Sequence, residues 1–194
     1  MKTIVWDVDD VLNDLMRVWF EEFWRAKHPG TKTEYNAINI NPPHELFGVS
    51  KEEYLASLDD FRFSGLYDRL TPNREVLDWF VTYGAKCRHV ALTRVPVAVS
   101  HVSAAWALKH YGQWIRSFHF IPSYRAGEHP PVYDENKGTY LTYFGKADLL
   151  IDDTIENIEA AEKAGVKTLT FPRPWNKSKL TVSQLLVAVS EVSK

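Results

Sequence analysis

Cysteine is almost absent. Cys87 stands alone in 194 residues, which excludes an internal disulfide and suits a reducing compartment. Long apolar runs are missing too: none approaches the roughly 20 residues a membrane-spanning helix needs, and the first one meets Asp7 before a signal-peptide core could form. A cytoplasmic protein with no membrane partner is therefore expected. Excess charge is also lacking, since a formal net charge of −2 leaves no electrostatic footprint for a nucleic-acid polymer. Neither a P-loop nor a dinucleotide-type glycine pattern occurs, so no motif implies ATP. Internal repeats, low-complexity tracts and long charge blocks are absent as well.

What remains has ordinary globular proportions, 45% apolar and 25% charged residues, enough for one α/β domain with a modest insertion. Short β-branched runs alternate with segments of helical period, the pattern of a Rossmann-like parallel sheet of about five strands. The expected strands are Thr3 to Val8, His89 to Thr93, Phe118 to Ile121, Asp148 to Ile151 and Val166 to Phe171. Helices are expected through Val76, Leu77 and Phe80, from Ile155 to Ala164, and over Val182 to Val189 behind a Thr181/Gln184 capping box. After the first strand the next crossover helix is delayed far beyond an ordinary βα connection. Residues 14–70 are accordingly read as a small helical cap, and residues 1–13 and 71–194 as the core. Within the cap, Trp19 with Phe23 and Phe20 with Trp24 lie four apart, as on the apolar face of one helix. Ser50, with Glu53 three residues on, would cap another.

The charged residues are placed oddly. The run IVWDVDDVLND sends a buried-looking strand into Asp7, Asp9 and Asp10, with Asp14 close behind. Neighbouring carboxylates repel and resist leaving water, so packing gives no reason for the cluster. Ligands of parallel α/β sheets bind beyond the carboxyl ends of the strands. Asp7 and Asp9 leave one such end, Thr93 another, and Asp152 and Asp153 a third. Carboxylates converging there call for a hard cation, and oxygen-only ligation suits Mg²⁺ better than zinc. Asp10 and Asp14 read as turn or cap residues, and Cys87 as a small buried side chain.

The order D-x-D-x-V, a strand ending in Thr, then a strand ending in D-D resembles the haloacid dehalogenase-like (HAD) superfamily of phosphohydrolases, from Ile4 to about Phe171. The cap after the first strand and the runs DLLIDD and FPRPWN are similar to the deoxyribonucleotidase branch. That resemblance implies hydrolysis of a small-molecule phosphate ester, a nucleoside 5′-monophosphate in the first place, with a sugar-phosphate phosphatase, a phosphomutase or a phospholigand-binding protein without turnover as the alternatives. It makes Asp7 the nucleophile and Asp9 the general acid and base. Asp153 becomes a direct Mg²⁺ ligand, Asp152 its supporter, and the Asp9 backbone carbonyl completes the protein's share. Thr93 would bind a phosphoryl oxygen, with Arg94 adding charge, and the family's lysine would be Lys137 or Lys146. Lys137 is preferred, because Lys146 precedes its strand and so sits at the opposite edge of the sheet. Phe61, Phe63 and Tyr67, where the insertion returns to the core, could face the substrate and stack on a base.

Overall fold

The computed structural model describes residues 1–192. In chain order the principal elements are β1 (Thr3–Trp6), α1 (Leu15–Val18), a π-helical stretch (Trp19–Trp24), α2 (Arg25–Lys27), α3 (His44–Phe47), α4 (Lys51–Phe63) and α5 (Arg74–Tyr83). There follow β2 (Arg88–Val95), α6 (Val97–Tyr111), β3 (Ile115–Pro122), α7 (Lys137–Phe144), β4 (Leu149–Asp152), α8 (Ile155–Lys163), β5 (Lys167–Thr170) and α9 (Val182–Val192). The five strands form one sheet in the order β3-β2-β1-β4-β5, with every neighbouring pair parallel. The expected five-stranded α/β core is thus present.

Alternation along each strand divides the core between two faces. Ile4, Trp6, Ala91, Leu149 and Ile151 point into a large cluster that also takes in α5, α6, α9 and the aromatic side chains after β1. Val5, Val90, Leu92 and Leu150 point the other way, onto Tyr140 and Leu141 of α7 and Ala161 of α8. β1 lies between β2 and β4 and its four residues are all buried, which explains its unbroken apolar run.

Element ends differ from expectation for local reasons. β1 stops at Trp6 because the Val8 carbonyl turns to accept from the amides of Val11, Leu12 and Asn13. β2 runs two residues beyond Thr93, since Arg94 and Val95 still pair with Ile121 and Pro122 of β3; Thr93 is therefore a buried strand residue, not the strand's last. The helix after β1 is not α throughout. The Arg25 amide bonds the Phe20 carbonyl, five residues back, so side chains five apart come into line, and Trp24 packs against Trp19 at 5.2 Å between ring centroids. Trp19, Phe20 and Trp24 are buried in this way, while Phe23 sits edge-on to Phe61. Both capping predictions hold: Ser50 Oγ accepts from the Glu53 amide, and Thr181 and Gln184 exchange side chain-to-backbone bonds.

The chain leaves the sheet through Leu12 and Asn13 and returns beside them. Asn13 and Pro72 form an isolated antiparallel bridge, and the Asn73 amide donates to the Leu12 carbonyl at 2.8 Å. The two ends of residues 14–70 thus lie side by side, and the segment between them packs on the core in the same hydrophobic cluster.

Trp6 Nε1–H donates to His89 Nδ1 at 3.0 Å, and His89 Nε2 meets the Gly84 carbonyl at 2.8 Å. That leaves Nδ1 as acceptor and Nε2 as donor, the neutral imidazole, and burial lowers the His89 pKa. Protonation therefore favours the unfolded chain, where histidine titrates near ~6.5. The His89 contribution to stability is whole above that pH and is lost as pH falls from there toward the depressed native value. Chemical denaturation at pH 7.5 and 5.5 should show a steeper loss for the wild type than for His89→Gln; parallel losses would contradict this. On the other face, a Cβ on Gly138 would lie 2.3 Å from the Ala160 carbonyl oxygen, so α7 approaches α8 more closely than any side chain permits. Gly138→Ala should destabilise by about 1–3 kcal/mol in the same assay, and a neutral effect would show that α7 has room to move.

Candidate active site

The strand register assembles the site. Trp6 pairs with Ile151 on one side and Ala91 on the other, so the next residues, Asp7 and Asp152, are neighbours at the carboxyl rim; the Asp7 amide donates to the Ile151 carbonyl at 2.9 Å. Asp7, Asp152 and Asp153 are all buried, and one oxygen of each lies within 4.8 Å of the others. Thr93 falls two rungs past Ala91 on β2 and is 1% exposed.

Lys137 answers this crowding. It opens α7 behind the Asn136/Thr139 capping box and reaches Asp7 Oδ1 at 2.7 Å and Asp152 Oδ2 at 2.6 Å, only 1% exposed. Burial by itself would lower the lysine pKa, but Asp152 and Asp7 together raise it and keep the ammonium charged. Lys146 is exposed and makes no part of this cluster. Asp152 is held on both oxygens: Oδ1 accepts from the Thr154 amide and Asn157 Nδ2, Oδ2 from Lys137 and Asn157 Nδ2. Asp153 Oδ2 accepts from Trp175 Nε1 at 2.7 Å, and its carbonyl from Asn176 Nδ2.

One ammonium does not balance three buried carboxylates. Burial pushes Asp7 well above the ordinary carboxylate range, with Asp152 and Asp153 adding repulsion against the opposing pull of Lys137. Asp153 is pushed up to about 8 by burial and by Asp152 and Asp10. A buried, oxygen-only set still short of positive charge has the chemistry of a hard-cation site, so these residues fit a divalent ion.

The loop after β1 is a set of backbone turns. Asp10 occupies the left-handed region at φ 64°, which aspartate tolerates better than most residues, and its Oδ1 accepts from the Met16 amide. It is a turn residue, as expected, pushed up to about 7 by burial. Asp14 flanks α1 without capping it and instead pairs with Arg173 at 2.6 Å; Arg173 Nε also donates to the Asp10 carbonyl.

Asp9 faces the other way, toward residues 59–67. Its Oδ1 accepts from Tyr67 Oη at 2.6 Å and Asn13 Nδ2 at 3.2 Å, and its Oδ2 from Arg62 Nη2 at 3.0 Å. Arg62 also pairs with Asp59, which forms a two-pronged pair with Arg125 from the segment after β3 at 2.6 and 2.9 Å. Asp9–Arg62–Asp59–Arg125 is thus a continuous charge chain from the β1 rim through α4 to the β3 side.

The aromatic expectations change accordingly. Phe61 is fully buried against Phe23, and Tyr67 is fully buried with its hydroxyl on Asp9 and its ring edge-on to Trp106; neither presents a free face for stacking. Phe63 is 57% exposed. Arg94 is exposed and lines a groove of about 490 Å³ with Asn136, Thr139 and Asn157, whose lining does not include Asp7, Asp152 or Asp153. Sequence reasoning missed Arg62, Asp59, Arg125, Asn157 and Trp175. Trp175 lies within FPRPWN, a run whose resemblance assigns no role to the indole.

No protein-family model matches the chain, and no curated protein does. Solved structures do. A haloacid dehalogenase-like family hydrolase from Streptococcus pneumoniae superposes with a TM-score of 0.63 at 15% identity, over 96% of this chain and 90% of that one. YfnB from Bacillus subtilis, described as a HAD hydrolase bound to magnesium, gives 0.52 at 16% identity over 98% of each chain. A HAD family hydrolase from Deinococcus radiodurans, with bound phosphate and sodium, gives 0.55 at 14% identity, covering 99% of this chain and 88% of that one. No helix among the described residues is long and apolar enough to cross a membrane. The chain therefore has the α/β fold of HAD-superfamily hydrolases across nearly its whole length.

Proposed function

We propose that this protein hydrolyses a small-molecule phosphate monoester, with Asp7 as nucleophile. The observation that carries the reading is Lys137, shared between Asp7 and Asp152 at the rim where Asp153 also lies. A charged ammonium fixed against a nucleophilic carboxylate both orients it and meets the charge of an arriving phosphoryl group. Asp7 attacks phosphorus, the ester bond breaks, and an aspartyl-phosphate forms. Asp9 passes a proton to the departing oxygen and then takes one from the water that cleaves the aspartyl-phosphate. Thr93 hydrogen-bonds a phosphoryl oxygen, and Asp152, locked by Asn157 and the Thr154 amide, holds Lys137 in place. Asp7, Asp153 and the Asp9 carbonyl would hold Mg²⁺, whose charge would offset the clustered carboxylates and the phosphoryl oxygens. The magnesium and phosphate in two structures of the same fold support this assignment.

Sugar phosphates and nucleoside 5′-monophosphates are the candidate esters. The nucleotide reading draws on the resemblance of the sequence, and the burial of Phe61 and Tyr67 leaves Phe63 as its remaining ring.

Phosphate release from p-nitrophenyl phosphate with Mg²⁺ tests the reading. Chelation should abolish it and added Mg²⁺ restore it. Asp7→Asn should lower turnover by on the order of 10³-fold or more with thermal stability retained, and wild-type-like turnover would remove Asp7 from the mechanism. Lys137→Ala should cost roughly 100-fold or more, against little change for the exposed Lys146→Ala; the reverse ranking would move the site to the other edge of the sheet.

A further inference from the structure

Of the three clustered carboxylates, Asp153 alone has no cationic side chain bonded to it among the described residues, because Asp7 and Asp152 share Lys137. Neutral donors hold it instead. Trp175 Nε1–H reaches Oδ2 at 2.7 Å, and Thr154 Oγ1 lies 3.5 Å from Oδ1. Asp152, by contrast, accepts four contacts over its two oxygens, which fills the lone pairs of a carboxylate. Asp153 keeps lone pairs free for a cation. An indole N–H directs a carboxylate without supplying charge, so the negative surplus of the site is left for a metal to meet.

The indole is itself tied down. Pro172 and Pro174 restrict the backbone on either side of Arg173. The Phe171 amide donates to the Asp152 carbonyl at 2.8 Å, and Asn176 Nδ2 donates to the carbonyls of both Asp153 and Phe171. Arg173 fastens the same run to the loop after β1 through the Asp10 and Asn13 carbonyls. The carboxylate and its donor therefore belong to one bonded unit. Tyr35, from residues 14–70, packs edge-on against the indole at 6.3 Å between ring centroids. Tyr35 is buried, the Arg17 guanidinium lies over its ring, and its hydroxyl has no hydrogen-bond partner among the described residues. Its ring is what it offers Trp175.

We infer that Trp175 is a positioning residue whose indole sets the Asp153 carboxylate for cation binding, and that the Tyr35 ring steadies the indole. This rests on the phosphohydrolase reading, with a divalent ion at Asp7 and Asp153.

Mn²⁺ binding to the full chain, followed by the electron paramagnetic resonance of the free ion with no substrate present, tests it. Trp175→Phe keeps an aromatic ring, removes the N–H, and should raise the Kd by on the order of 10- to 100-fold. Tyr35→Ala should raise it by less, and Tyr35→Phe, which keeps the ring, should restore it. Turnover of p-nitrophenyl phosphate separates positioning from bracing. Trp175→Phe should need correspondingly more Mg²⁺ for half-maximal rate yet recover most of kcat at saturation, whereas a brace for the fold would lower kcat at every Mg²⁺ concentration. An unchanged Kd in Trp175→Phe, or a kcat loss that Mg²⁺ does not repair, would overturn the inference while wild-type Mn²⁺ binding still upheld the cation site. If Trp175→Phe does not fold, the Tyr35 pair decides, and equal Kd values for Tyr35→Ala and Tyr35→Phe would overturn the inference. A wild type that binds no Mn²⁺ would overturn the reading of the cation site and this inference with it.

Discussion

A lysine that is 1% exposed must be neutral or surrounded by negative charge, and Lys137 is surrounded. Its partners come from adjacent parallel strands at the same rung, so the register of β1 against β4 and the start of α7 must both be right for the charge to be met. Much of the local structure serves that condition. Gly138 lets α7 close on α8, Asn157 of α8 returns two bonds to Asp152, and the Thr154 amide holds the same carboxylate. Removing Lys137 would leave the buried carboxylates uncompensated, whereas without the charge of Asp7 the ammonium still meets Asp152.

A second balanced set stands across the rim. Asp9 and Asp59 alternate with Arg62 and Arg125, and the order ties β1, α4 and the segment after β3 together. The two sets differ in their surplus. On the side of Asp7 and Asp153 negative charge exceeds positive, which favours a cation; on the side of Asp9 the charges cancel.

Much of the first set was legible in the sequence, because strands announce their ends: an apolar run that stops at acidic residues places those residues at the rim, and parallel topology brings several rims to one edge. The family resemblance called for a lysine, and position at a helix start chose Lys137 over Lys146. The second set was hidden. Arg62 and Asp59 are three apart on a helix, which reads as an ordinary exposed ion pair, and only tertiary packing reveals that Arg62 is buried. Arg125 lies in a turn-rich segment whose destination no local pattern discloses. The π-helical stretch escaped for a related reason, since aromatic residues at 19, 20, 23 and 24 satisfy a spacing of four while the backbone aligns residues five apart. Phe61 and Tyr67 show the converse error, as rings at the cap boundary look available until their burial is known.

The account stands most directly on a cation among the rim carboxylates. Crystals of the wild-type protein grown with Mn²⁺ in place of Mg²⁺, with data collected at the manganese edge, would locate it without reference to any substrate. One strong anomalous peak is expected at Asp7 and Asp153, absent from crystals of Asp153→Asn. A peak elsewhere, or none at that position in saturating Mn²⁺, would contradict it.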